Sequence, residues 1–163
     1  MSENPPTLHL LCGKIAAGKS TLAAKLVAIH HAVLISEDQW LDTLYGREIS
    51  SLQDYVEYSG KLKKIMGPHI VTLLSAGVSV VLDFPANTLG QRKWMLDILN
   101  SADVSHQMHF LAIPDEVCLS RLRERNAKGE HPFATTEQEF RKFSEYFQPP
   151  TEEEGFNITH YDH

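Results

Sequence analysis

The 163-residue sequence has only two cysteines and no apolar stretch approaching a membrane span. It also has no excess of basic residues. Each absence excludes something. Cys12 and Cys118 cannot build a disulfide framework and lack metal-ligand spacing, so both are expected as small core residues. Without about 20 consecutive apolar residues there is no expected membrane helix. Met1 to Pro6 are polar and proline-containing, with no apolar run after a basic stretch, so no signal peptide is expected there. The formal net charge is −6, which gives no support to non-specific binding of nucleic acid or membrane surfaces. Nine histidines are scattered, and His30-His31 and His160 to His163 lack a third ligand at zinc spacing, so no zinc site is expected. A reducing cytoplasm is the expected compartment.

Apolar residues make up 42% of the chain, enough for one domain with one core, and no linker or internal repeat divides it. Short apolar runs alternate with helical periods. Strands are expected at 7–12, 32–35, 78–82 and 106–113, with a last one at 156–159. Helices are expected at 20–29, 39–44, 52–74, 89–99, 115–126 and 136–147. Pro68 should kink or divide the longest, because proline lacks a backbone donor and crowds the preceding turn. Thr136 and Glu139 have capping-box spacing. Strands alternating with helices call for an α/β fold, a mostly parallel sheet covered on both faces. The strand order is not readable from this pattern.

One motif carries chemistry by itself. Gly13-Lys14-Ile15-Ala16-Ala17-Gly18-Lys19-Ser20 matches G-x-x-x-x-G-K-[ST] in full, and Thr21 follows. The motif leaves an apolar strand and opens a helix, as the phosphate-binding P-loop requires. Glycines let the backbone curl so that its N–H groups converge on phosphate oxygens. The new helix adds free N–H groups and the positive end of its dipole. Lys19 is expected to reach the β- and γ-phosphates of ATP, and Ser20 to place its hydroxyl on Mg²⁺.

Two carboxylates follow apolar strands, and ligands of open parallel sheets sit beyond the strands' carboxyl ends. Asp38, or less favourably its neighbour Glu37, is a candidate base for an acceptor hydroxyl. Asp83 is a candidate partner of Mg²⁺. As bland alternatives, Asp38 is a helix N-cap and Asp83 a turn or cap residue. Arg121, Arg123 and Arg125 fall within five residues, and Arg121 and Arg125 share one helical face. Gly129 and Pro132 follow as a loop signal. Arginines from a closing lid, roughly 115–135, would stabilise charge developing in phosphoryl transfer. The alternative is a solvated helix paired with Glu116 and Glu124.

Together these residues resemble the small P-loop kinases grouped with polynucleotide kinases, chloramphenicol phosphotransferase and zeta toxins. The chain is more closely similar to the single-domain bacterial ATP-binding kinases of that group. The resemblance is carried by Gly13 to Thr21, Ser36-Glu37-Asp38, Val80 to Asp83, Arg121 to Asn126, Gly129 to Phe133 and the Phe147 to Phe156 tail. It implies the P-loop NTPase fold with five parallel strands, ATP with Mg²⁺, and transfer to a hydroxyl. It also implies Asp38 as general base and Arg121 or Arg125 in the lid. One feature departs from it. Polynucleotide kinases tend to carry an arginine just after the base, whereas Asp38 is followed by Gln39-Trp40-Leu41, with no cation until Arg47. The expected acceptor is therefore a small molecule, not nucleic acid. Residues 39–59 and 84–92 are expected to line its pocket, with Trp40, Tyr45, Asn87 and Arg92 as candidates. No Asn-Lys-x-Asp guanine motif is present, which favours adenine. The competing readings are a nucleotide-gated binding module with slow ATP hydrolysis and a polynucleotide 5′-hydroxyl kinase.

Overall fold

A computed structural model describes residues 5–129 and 134–163. Five strands form one parallel sheet: β1 (Thr7–Cys12), β2 (Val33–Ser36), β3 (Val80–Pro85), β4 (Ser105–Leu111) and β5 (Ile158–Tyr161), in the order β2-β3-β1-β4-β5. The helices are α1 (Lys19–His30), α2 (Glu37–Tyr45), α3 (Leu52–Ser75), α4 (Leu89–Ala102), α5 (Asp115–Lys128) and α6 (Glu137–Glu145). The fold is the expected α/β arrangement with helices on both faces.

Alternation along the strands sorts the core. Leu8, Leu10 and Cys12 of β1, with Leu82 and Phe84 of β3, pack under Leu62, Met66 and Ile70 of α3 and Met95 and Ile98 of α4. On the other face, Leu11 and Val81 meet Ala23 and Leu26 of α1. Leu111 and Ile113 meet Leu119 and Leu122 of α5 and Phe140 of α6. Both cysteines are buried, as their apolar neighbourhoods lead one to expect, and burial pushes the Cys12 thiol up to about 12.

Most elements differ from expectation only at their ends. β5 starts two residues later than expected, and β4 stops at Leu111. Two differences have physical content. Pro68 lies inside α3, which runs unbroken for 24 residues. Packing of Leu62, Met66, Ile70 and Leu74 against the sheet outweighs the one backbone hydrogen bond that proline removes. Asp83 lies within β3 and not beyond it, so it is neither a turn nor a cap residue. The β1–β3 register shifts there, from Leu10↔Leu82 to Leu11↔Pro85, a bulge that re-aims the strand's last residues.

The Thr136–Glu139 capping box is formed. Of the segment Gly129 to Phe133, residues 130–133 lie outside the described residues. Among the described residues no helix is long and apolar enough to cross a membrane.

Candidate active site

The loop after β1 lies at the carboxyl end of the sheet's central strand. Its shape depends on two close fits. A Cβ on Gly13 would stand 3.1 Å from the Leu111 carbonyl oxygen, so no larger residue passes there without displacing β4. Gly18 has φ 104° and Ala16 φ 63°, both left-handed, which curls the loop. Gly18 is also the N-cap of α1 and supplies no capping side chain, so the first N–H groups of α1 are left for a ligand.

Lys19 folds back over the loop, donating to the carbonyl oxygens of Gly13 at 2.5 Å and Lys14 at 3.0 Å. Burial pulls its ammonium below the usual value, while Asp83, Cys12 and Asp38 oppose that shift. Ser20 Oγ donates to Asp83 Oδ2 at 3.0 Å. A hydroxyl and a carboxylate thus converge at the head of α1, the hard-oxygen set that suits Mg²⁺.

Asn87 was expected in the acceptor pocket. It borders the cleft, and its side chain also holds the loop. Its Oδ1 accepts from Gly13 N at 2.9 Å, and its Nδ2 donates to Gly13 O at 2.8 Å. Asn87 is in turn fixed by Gln91 Oε1 on its own N–H and by Gln148 N on its carbonyl. Lys14 pairs with Asp115 at 2.8 Å and lies over the Phe147 ring. The loop is braced at both ends.

Ser36 caps α2 by accepting from Gln39 N, so the cap is Ser36 and not Asp38. Asp38 is half-buried in the first turn of α2 and borders the same cleft as Lys19 and Ser20. Glu37 is only 1% exposed. Tyr55 and Ser59 of α3 donate to its two carboxylate oxygens, and burial raises its pKa. Both Glu37 oxygens are therefore engaged; both carboxylates border the cleft, and Asp38 is the more exposed of the two.

The arginines divide by role. Arg121 Nη1 donates to Ala17 O at 3.1 Å, tying α5 to the P-loop. Arg125 is half-buried at the cleft, with its Nε buried and unpartnered among the described residues. Burial lowers its pKa while Asp38's charge raises it. Arg123 points away and pairs with Glu137 of α6, not with Glu116 or Glu124.

The cleft encloses about 920 Å³ between the P-loop, α2, the start of α3, the β3–α4 turn, α5 and α6. It gathers Lys19, Ser20, Asp38, Asp83, Arg121 and Arg125. Three of the proposed acceptor-pocket residues lie elsewhere. Trp40 is 41% exposed and does not border the cleft. Tyr45 stacks on Tyr58. Arg92 is 1% exposed, and pairs with Glu154 at 2.7 Å and with Ala86 O at 2.9 Å, a buried strut between α4 and the 152–154 turn. The lining by Ile49, Ser50, Ser51, Leu52 and Tyr55 falls inside the 39–59 segment expected there, although no motif marks these residues individually, while the lining from α6, including Phe140 and Phe143, was not foreseen.

A five-stranded parallel sheet with a P-loop after its central strand and an arginine-bearing helix over that loop defines the P-loop NTPase class, in its kinase-like form. Residues 8–150 match the AAA domain family AAA_33, and the chain belongs to that family. Solved structures of similar fold include a sugar kinase from Janibacter sp., with TM-score 0.69 and 15% identity over 97% of this chain and 86% of that one. Another is the APS kinase of Mycobacterium tuberculosis in complex with AMPPNP and APS, with TM-score 0.66 and 17% identity over 98% and 90% of the two chains. A gluconokinase from Sinorhizobium meliloti gives TM-score 0.62 and 14% identity over 98% and 84%. Among curated proteins none matches the chain.

Proposed function

We propose that the chain is an ATP-dependent phosphotransferase that moves the γ-phosphate of Mg-ATP to a hydroxyl of a small-molecule acceptor. One observation carries this reading. A P-loop lysine, the Ser20–Asp83 pair, the Asp38 carboxylate and two arginines border one cleft.

ATP binding would draw Lys19 from the Gly13 and Lys14 carbonyls onto the β- and γ-phosphates. The backbone N–H groups of the loop and of α1 would take the remaining phosphate oxygens. Ser20 and Asp83 would hold Mg²⁺, which when bound neutralises charge on the phosphate oxygens. Asp38 takes the proton of the acceptor hydroxyl, and the freed oxygen pair attacks Pγ. The Oacceptor–P bond forms as the Pγ–O bond to ADP breaks, and ADP departs with that electron pair. Arg125, and Arg121 once released from Ala17 O, stabilise charge on the transferring group. Asp38 is preferred to Glu37 because it is the more exposed of the two at the cleft, whereas Glu37 is 1% exposed.

The test is incubation with γ-labelled ATP and a metabolite panel, comparing the native chain with Asp38→Asn. Label in a small molecule that disappears in the variant, with ATP affinity retained, supports the reading. Hydrolysis to free phosphate alone would remove it in favour of a nucleotide-gated module.

A further inference from the structure

The short helix α2 buries only two of its side chains, Glu37 and Leu41, which lie one turn apart. They hold the helix in different ways. Leu41 is fully buried among apolar neighbours, and such a contact has no direction of its own. Glu37 is held at both oxygens. Tyr55 donates to Oε1, and Ser59 donates to Oε2 at 2.6 Å. The two donors lie one turn apart on α3, so together they fix the rotation of the first turn of α2 as well as its distance. Lys63, a further turn along the same face of α3, acts on Glu37 with an attractive charge, and Asp38 with a repulsive one.

For stability alone this polar anchor is a poor choice. A carboxylate loses its water on burial, and apolar replacements of buried polar groups are commonly neutral or stabilising. What an apolar contact lacks is direction. Asp38 is the next residue of α2, so the orientation of the first turn sets where its carboxyl stands at the cleft. The charges of Lys19 and Arg125 act on it there. Misplacing a catalytic group by about 1 Å can cost about 10²-fold in rate.

Resting on the phosphotransfer reading, we propose that Glu37 is a positioning residue, locked by Tyr55 and Ser59, that orients the first turn of α2 so that Asp38 meets the acceptor hydroxyl. Ser59 is 3% exposed and does not border the cleft, so its hydroxyl reaches the chemistry only through Glu37.

The experiment measures single-turnover transfer from saturating γ-labelled ATP to the compound of a metabolite panel that the native chain labels. Calorimetry supplies ATP affinity and Tm. Ser59→Ala should transfer about tenfold more slowly, and Glu37→Gln about 10- to 100-fold, both folded at the assay temperature and with ATP affinity within about twofold of native. Should Glu37→Gln fail to fold, Ser59→Ala decides by itself. Native rates in folded variants would reduce the anchor to a packing contact and overturn the proposal. A native rate in Ser59→Ala, beside a loss in Glu37→Gln equal to that in Asp38→Asn, would also overturn it and make Glu37 the base. A parallel fall in ATP affinity would overturn it by moving the anchor's effect to the donor end. Failure of the phosphotransfer reading looks different: label passes only to free phosphate, or Asp38→Asn keeps the native rate, and the positioning role then falls with the base.

Discussion

The two ends of the cleft are built in contrasting ways. The donor end is one contiguous loop, Gly13 to Ser20, whose work falls largely to backbone groups. It is braced by Asn87 through Gly13 and by Arg121 through Ala17. The end proposed to take the acceptor is bordered by Glu37-Asp38, Ile49 to Tyr55 and Pro85 to Gln91, and would work through side chains. Backbone recognition suits a ligand part that never varies, the polyphosphate. Side-chain recognition suits a part that differs between enzymes, because a substitution changes it without disturbing the fold.

The largest effects should fall where the two ends meet. Lys19→Ala removes the charge aimed at the transferring phosphate and should lower transfer by about a thousandfold or more, with weakened nucleotide binding. Unchanged ATP affinity by calorimetry would break the donor assignment. Asp38→Asn keeps the shape and removes the base, so kcat should fall about 10²–10⁴-fold with ATP affinity retained. Equal losses in ATP affinity and kcat would move Asp38 to the donor end.

The two arginines sharpen the comparison further. Arg125→Ala should lower kcat by about 10²-fold with little change in ATP affinity, since Arg125 borders the cleft without bracing the loop. Arg121→Ala should lower both, because its guanidinium also holds Ala17 O. Single-turnover rates alongside equilibrium binding separate the two.

The donor end was legible in the sequence because its residues are neighbours and its motif states the geometry. The alternation of apolar runs with helical periods likewise made the strands and helices legible. Asp38 and Asp83 were legible as carboxylates near strand ends, although the pairing with Ser36 of β2 that keeps Asp83 inside β3 was not. At the opposite end, the segments 39–59 and 84–92 were legible as walls of the cleft, but the individual residues were mostly not. Arg92 and Asn87 looked alike as polar residues after a strand, yet one is buried against Glu154 and the other grips a loop 74 positions away. Nothing local in sequence distinguishes a strut from a lining residue. Only tertiary placement does.

Asn87 tests that distinction with a moderate effect. Asn87→Ala leaves the Gly13 N–H and carbonyl without this partner. The loss of two part-buried hydrogen bonds is worth about 1–3 kcal/mol, which, if it falls wholly on the nucleotide-bound loop, is about 5- to 150-fold in ATP affinity. An unchanged ATP dissociation constant with a raised acceptor KM would return Asn87 to the acceptor end.

The smallest effect should come from beneath the donor end, where β1 carries His9 four positions before Gly13. His9 Nδ1 lies 3.0 Å from His109 Nε2, and His109 Nδ1 lies 2.8 Å from the Tyr161 hydroxyl. The His30 ring stacks on His9. His9 and His109 are 4% and 5% exposed, and burial, reinforced by the nearby histidines, lowers both pKa values from 6.5 to about 4. Between those values the unfolded chain binds protons that the folded chain refuses at these two sites, so their contribution to stability is fully present above about pH 6.5 and declines as pH falls toward 4. The expected outcome is a Tm by scanning calorimetry that drops across that interval, with a shallower slope in His109→Gln, which keeps a polar side chain on β4 but cannot take up the proton. An identical slope in that variant would assign the acid sensitivity to other groups and leave the donor strand neutral to pH.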